Sequence, residues 1–132
     1  MEIIAKYCVL PQKNILVIDG DPSLHKLLEK FADLHDFILH STNNGRSGLE
    51  LILKNKYDVI LLDWIMPEYS GMELLSDLEK ERDISKMNIF LFSAANIQQQ
   101  IIDDLKSMGV KEIIKKPTKL YDLFKTIGLK DS

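Results

Sequence analysis

The chain has 132 residues, of which 45% are hydrophobic and 28% are charged, and its formal net charge is −3. This size and composition are typical of one globular domain with its own core, without the basic surface that non-specific nucleic-acid binding requires. No apolar run approaches the roughly 20 residues that span a bilayer, so the sequence predicts neither a nucleic-acid partner nor a membrane partner.

The N-terminal residues have the composition of an extra arm. Residues 1–13 precede the first predicted strand, and their short apolar pieces interrupted by Glu2 and Lys6 argue against a signal peptide. The single cysteine, Cys8, cannot form an intrachain disulfide and is typical of a reducing compartment. We expect a cytoplasmic protein with an arm over residues 1–13 and one domain over residues 14–132.

Strand-like and helix-like segments alternate along that domain. Five apolar runs predict strands at Asn14–Ile18, Phe37–His40, Val59–Leu62, Ile89–Phe92 and Val110–Ile114. Apolar spacing near 3.6 residues predicts helices at Leu24–Leu34, Leu49–Leu53, Met72–Leu78, Ile97–Met108 and Leu120–Ile127. The alternation predicts an α/β fold, a doubly wound five-stranded parallel sheet with five helices covering both faces. Two strand orders are common for such sheets, and the pattern leaves both open.

The ends of the helices carry local signals. Asp21 followed by Pro22 is typical of an N-cap and the first helical position. The first helix should then bury one apolar stripe, consisting of Leu24, Leu27, Leu28, Phe31 and Leu34. Gly109 and Gly128 are expected to end the fourth and fifth helices.

Polar residues follow four of the predicted strands. Asp19, Asp63, Ser93 and Lys116 all come at carboxyl ends, which meet at one edge of a parallel sheet. Each alone is more often a helix cap or a turn residue, but the four together indicate a site. Carboxylates suit Mg²⁺, and an aspartate can attack a phosphoryl group while lysine and hydroxyl groups offset the charge of its oxygens.

These residues, in this order and spacing, resemble the receiver domain of two-component response regulators. The resemblance covers about Asn14 to Gly128 and is carried by Ile15-Leu16-Val17-Ile18-Asp19, Asp63-Trp64-Ile65-Met66-Pro67 with Gly71, Ser93-Ala94, and Lys116-Pro117. It implies the flavodoxin-like strand order 2-1-3-4-5.

The resemblance also implies a role for each matching residue. Asp63 would be the phospho-acceptor, charged by a histidine kinase or a phosphotransfer protein. Asp19, Asp63 and the backbone carbonyl of Ile65 would hold Mg²⁺, with Asp21 as a further candidate ligand. The phosphoryl oxygens would contact Ser93, the amide of Ala94 and Lys116. Ser93 and Ile113 would form the switch, and the peptide between Lys116 and Pro117 would be cis.

The chain departs from the family at three places. Gly20 stands where the family usually has a second acid that binds the metal directly, which predicts weak Mg²⁺ binding and slow phosphoryl transfer. Ile113 replaces the family's aromatic switch residue and has a stiff χ1. It is more simply interpreted as a core strand residue. Ile65 and Ala95 are apolar where the family controls access of the hydrolytic water, which predicts slow loss of the phosphoryl group.

Three functions follow in order of preference. The first is a single-domain receiver, not an enzyme, that accepts a phosphoryl group, can lose it by hydrolysis, and signals to an unknown downstream protein through phosphorylation-dependent contacts. The second is a pseudo-receiver that binds partners without phosphorylation, which Gly20 and Ile113 motivate. The third, and remote, is a haloacid-dehalogenase-type phosphatase, because Asp19-Gly20-Asp21 resembles that family's nucleophile loop.

Overall fold

The sheet has the predicted number of strands and the strand order that the resemblance implied. The computed structural model describes residues 13–35, 37–116, 119, 122, 123 and 125. Within them, five parallel strands form one sheet in the order β2-β1-β3-β4-β5. The strands are β1 (Asn14–Ile18), β2 (Ile38–Thr42), β3 (Val59–Asp63), β4 (Ile89–Ser93) and β5 (Glu112–Lys115). The strand order that the resemblance implied is therefore confirmed.

Among the described residues, four α-helices connect the strands. They are α1 (Pro22–His35), α2 (Gly45–Lys54), α3 (Gly71–Glu79) and α4 (Gln99–Met108), with a 3₁₀ turn at Ile84–Lys86 before β4. The predicted fifth helix falls largely outside the described residues, as do Gly128, Pro117 and the arm up to residue 12. None of the described helices is long and apolar enough to cross a membrane.

Alternate residues of the strands supply two separate cores. On one face, Leu16, Ile18, Ile60 and Leu62 pack with residues of α2, α3 and α4. On the other face, the neighbouring strand residues pack with Leu28 of α1. Side chains of consecutive strand residues point to opposite faces, so a strand with helices on both sides is apolar throughout. This explains the uninterrupted apolar runs that lead to the polar strand ends.

The apolar stripe predicted for α1 is wrong in two of its five residues. Leu27 is 48% exposed and Leu34 is 79% exposed, whereas Leu28 and Ala32 are buried. At about 100° per residue, Leu27 and Leu34 lie roughly 100–120° around the helix from Leu28. A helix packed on one face of a sheet buries only a narrow stripe, and the apolar residues of α1 cover a wider arc than that stripe.

One predicted helix end is confirmed, and two helix caps were not predicted. Gly109 ends α4 as predicted, with φ of 124° and its N–H bonded to the carbonyl oxygens of Leu105 and Lys106. A Cβ there would lie 2.5 Å from the backbone nitrogen of Ser85, so only glycine fits. The caps of α2 and α3 were missed. Asn44 accepts from the N–H of Ser47, and Ser70 accepts from the N–H of Glu73.

Candidate functional site

The four polar residues predicted at strand ends are brought to one edge of the sheet. Asp19 follows β1, Asp63 ends β3, Ser93 ends β4, and Lys116 follows β5. The backbone continues to pair at this edge, since the N–H of Lys116 donates to the carbonyl oxygen of Ser93 at 2.9 Å. Their convergence follows from the parallel arrangement of the strands.

An ion triad occupies the centre of this edge. The Lys116 Nζ lies 2.6 Å from Asp19 Oδ2 and 3.6 Å from Asp63 Oδ2. The side chain of Asp19 is only 2% exposed, that of Asp63 is 15% exposed, and that of Lys116 is 26% exposed. Two carboxylates and one ammonium give the triad a formal charge of −1, with the ammonium closer to Asp19 than to Asp63.

Asp63 has the electrostatic environment of a reacting group. Burial raises the pKa of the Asp63 carboxyl above its ordinary value, and the neighbouring Asp19 raises that pKa further. The Lys116 ammonium and the N–H of Ile65 act in the opposite direction without cancelling the rise. The Ile65 N–H lies 3.4 Å from Asp63 Oδ1. Asp63 is thus held at a site that penalises its charge, as functional carboxylates often are.

Asp19 is held by contacts on every polar atom of its side chain. Its Oδ1 accepts from the N–H of Asp21 at 2.9 Å, and its Oδ2 bonds Lys116. Its backbone carbonyl oxygen lies 2.5 Å from His25 Nε2. Because a carbonyl can only accept, that ring nitrogen donates. Sequence reasoning assigned His25 no part in this site. Its place in the first turns of a helix that follows Asp19 directly was the available signal.

Gly20 stands at the position of the family's second acid, and the space around it is open. A Cβ at Gly20 would meet no atom within 4 Å, and a hollow of about 500 Å³ lies beside Gly20, His25, Ser41 and Thr42. Asp21 Oδ1 accepts from the N–H of Ser23 at 2.9 Å, as predicted for a helix cap. The nearest substitute carboxylate is therefore already engaged with the start of α1.

The two predicted switch residues, Ser93 and Ile113, lie together on the other side of the triad. The Ser93 hydroxyl donates to the carbonyl oxygen of Ala95 at 2.9 Å and accepts from the N–H of Ala95 at 3.1 Å. Ser93 and Ile113 line one hollow of about 330 Å³ together with Ala95 and Lys115. Ala94 is exposed beside them, and Ile113 is half-buried against the core. The Ser93 hydroxyl is thus bonded within its own loop.

The loop after Asp63 is anchored by Tyr69. The Tyr69 side chain is buried, its hydroxyl donates to Asp77 Oδ2, and the Arg46 guanidinium lies 4.5 Å above its ring. Burial, followed by the hydrogen bond to Asp77, raises the pKa of Tyr69 to about 12. This anchor, which sequence reasoning missed, fixes the segment that carries Ile65, whose side chain is exposed.

The oxygen donors at this edge suit magnesium, but they are few. Asp19, Asp63 and the Ile65 carbonyl are hard oxygen donors of the kind Mg²⁺ prefers, and water would have to fill the other positions. Among the described residues, no group of three or more histidine, cysteine or acidic side chains could hold a metal ion. Magnesium therefore fits the chemistry of the donors, with one charge fewer than two adjacent acids after β1 would provide.

The fold and the strand-edge site together define an α/β signalling domain of the receiver class. The family model for the response regulator receiver domain matches residues 15–128. The chain is 28% identical over 104 residues to the transcriptional regulatory protein SrrA of Staphylococcus aureus, covering 79% of this chain and 42% of that protein. The chain belongs to the response regulator receiver domain family, which confirms the resemblance that the sequence motifs indicated.

Solved structures agree with this assignment. The receiver domain of the Francisella response regulator 1452 is 27% identical, with a TM-score of 0.76 over 89% of this chain and 95% of that one. The response regulator TrrA of Thermotoga maritima, solved in complex with Mg²⁺ and BeF, is 26% identical, with a TM-score of 0.71 over 89% and 97% of the two chains. The chain spans less than half the length of the curated relatives that it matches.

Proposed function

We propose that this receiver domain accepts a phosphoryl group on Asp63 from a histidine kinase or a phosphotransfer protein. The observation that carries the proposal is the triad, in which one ammonium bridges a carboxylate at the end of β3 and a buried carboxylate after β1. A carboxylate with a lysine beside it can attack phosphorus while the developing charge is offset.

The transfer makes one bond and breaks one bond. An Asp63 carboxylate oxygen attacks the phosphorus of a phosphohistidine, and the P–N bond to the donor imidazole breaks as the new O–P bond forms. Lys116 Nζ, 3.6 Å from Asp63 Oδ2, is close enough to contact the transferred oxygens after a small shift. Asp19, Asp63 and the Ile65 carbonyl would hold Mg²⁺, which when bound neutralises charge on the phosphoryl oxygens.

Output would begin at Ser93. Its hydroxyl would leave Ala95 for a phosphoryl oxygen, and the Ala94 amide would donate to the same group. The segment between β4 and α4 would then shift, and the surface of α4 and β5 would present a changed contact to a downstream protein. Ile113 would follow through packing, because it has no ring to rotate.

A small-molecule phosphodonor tests the proposal directly. The protein is incubated with acetyl phosphate and Mg²⁺, and intact mass and peptide mapping locate the adduct. We expect one phosphoryl group on Asp63, no adduct in Asp63→Asn, and an unchanged adduct in Asp33→Asn, an exposed aspartate on α1. A folded protein that gains no mass at Asp63 would refute the proposal.

The second candidate is a pseudo-receiver that binds partners without phosphorylation. Gly20 leaves the site one acid short, and both side-chain oxygens of Asp19 already have partners within the chain. Beryllofluoride with Mg²⁺ separates the two functions, because an acceptor site binds this phosphoryl mimic and changes Trp64 fluorescence. A pseudo-receiver would give no change. The phosphatase alternative does not use Asp63, and the family match gives it no support.

A further inference from the structure

The ammonium of Lys116 lies closer to Asp19, a proposed metal ligand, than to Asp63, the proposed phospho-acceptor. It lies 2.6 Å from Asp19 Oδ2 but 3.6 Å from Asp63 Oδ2, so its shorter bond is to the buried carboxylate after β1. Asp19 is almost completely buried, and such a carboxylate requires a nearby positive charge. In the described site, Lys116 supplies that charge.

We propose that Lys116 is the resident counter-ion of Asp19 and competes with divalent cations for this carboxylate, because position 20 has no acid that would attract the metal independently. The inference rests on the proposed function, since it concerns the cation that would assist phosphoryl transfer to Asp63. It goes beyond that function because it explains the expected weak metal binding by competition between the Lys116 ammonium and the cation for Asp19.

The charges of the site explain why the competition is effective here. With Lys116 in place, the site has two carboxylates and one ammonium, so an approaching dication meets a formal charge of only −1. A second acid at position 20 would restore a charge of −2 without displacing Lys116. Asp21 is a poor substitute as a ligand, because its side chain already caps the N–H of Ser23.

The structure also shows that position 20 is open to an acid. A Cβ at Gly20 meets nothing within 4 Å, and the adjoining hollow is lined by polar residues of α1 and β2. Gly20→Asp therefore adds an acid at the position that follows Asp19 in the sequence, and its Cβ meets no steric clash. Two independent substitutions should therefore favour cation binding, namely removal of the ammonium at position 116 and addition of an acid at position 20.

The experiment measures cation binding rather than phosphorylation. Mg²⁺ titrations are followed by Trp64 fluorescence, and Mn²⁺ titrations by the loss of the free-ion EPR signal. We expect Lys116→Met and Gly20→Asp each to tighten binding by about tenfold, since each makes the site more negative by one unit. Lys116→Arg keeps the charge and should stay weak. Lys115→Met removes an exposed lysine bonded to Asn96 and should stay within twofold of the parent chain.

The outcomes separate this inference from the proposed function. Lys116→Met that is folded by circular dichroism and binds Mg²⁺ no more tightly than the parent would overturn the competition, whatever acetyl phosphate does at Asp63. If Lys116→Met does not fold, the parent chain decides the question through the NMR signal of the Lys116 ε-carbon. That signal must move with the same midpoint as Trp64 during the Mg²⁺ titration. A signal that stays fixed while the site saturates would also overturn the inference.

Discussion

Removing the ammonium that pairs with buried Asp19 should destabilise the fold strongly, and replacing Lys116 by methionine tests this. At an effective dielectric constant of 20, attractions at these two distances amount to roughly 6 kcal/mol with Asp19 and roughly 5 kcal/mol with Asp63. Desolvation of the charges and repulsion between the carboxylates offset most of this. Breaking a buried pair typically costs about 3–5 kcal/mol, because the remaining charge is left without a partner.

The expected loss is somewhat smaller for this pair. Lys116 is 26% exposed, so water can reach the position it leaves, whereas the side chain of Asp19 is only 2% exposed. We therefore expect Lys116→Met to lower the free energy of unfolding by about 2–4 kcal/mol. For a chain of this size, that corresponds to a fall in Tm of roughly 10 °C.

Urea unfolding followed by far-UV circular dichroism measures the loss, with Lys115→Met as the matched control. Lys115 is exposed, and its removal should cost less than about 0.5 kcal/mol. Asp19→Asn completes a double-mutant cycle, in which the cost of Lys116→Met should fall by at least about 1 kcal/mol once Asp19 is neutral. The reasoning is refuted if Lys116→Met unfolds within 0.5 kcal/mol of the parent or if the two substitutions are additive.

Three further predictions concern Asp63, the face of α1 and the loop anchor. Burial and Asp19 raise the pKa of Asp63 in the native state above its unfolded value of about 4. The protonation of Asp63 therefore favours the native state below about pH 4, and this stabilisation is lost as the pH rises through the raised native-state pKa. Asp63→Asn should therefore stabilise the protein by about 0.5–1 kcal/mol at pH 7 in urea melts, with a gain that disappears near pH 4; an equal gain at both pH values contradicts this. Leu28→Ala should cost about 2–4 kcal/mol and Leu34→Ala less than about 0.5 kcal/mol, and equal costs in thermal melts would contradict the observed face of α1. Tyr69→Phe removes the hydroxyl bonded to Asp77 and should cost about 1 kcal/mol in the same urea assay, while an unchanged midpoint would mean that the anchor contributes nothing.

The order of the elements could be predicted from the sequence because each strand is buried on both faces. Runs such as Val59–Leu62 and Ile89–Phe92 have no polar interruption, and the polar residue that follows marks the strand end. The short edge strand β2 was placed with less accuracy. It begins at Ile38 rather than Phe37 and continues through Ser41 and Thr42, since an exposed edge tolerates polar residues that give no apolar signal.

The convergence of the site residues was predictable, but their pairing was not. Parallel topology brings Asp19, Asp63 and Lys116 to one edge whatever their side chains do. Which carboxylate the ammonium prefers depends on burial, and burial differs between residues that look equivalent as strand-end aspartates. The contact of His25 with the backbone of Asp19 depends likewise on how α1 leaves β1. Such contacts arise from tertiary geometry, which spacing along the chain does not encode.

A single glycine connects the stability and the chemistry of this site. Without an acid at position 20, the charge of Asp19 is balanced by Lys116 from within the chain, and the apo fold needs no cation to keep that carboxylate buried. The same bond draws Lys116 away from Asp63, the group whose phosphoryl oxygens it would contact. Under the proposed function, Lys116 would have to exchange partners during phosphoryl transfer, and a cation held by Asp19 would leave Lys116 free to do so. The proposed competition makes weak metal binding and a stable metal-free site two consequences of one arrangement, so a substitution that improves either should weaken the other.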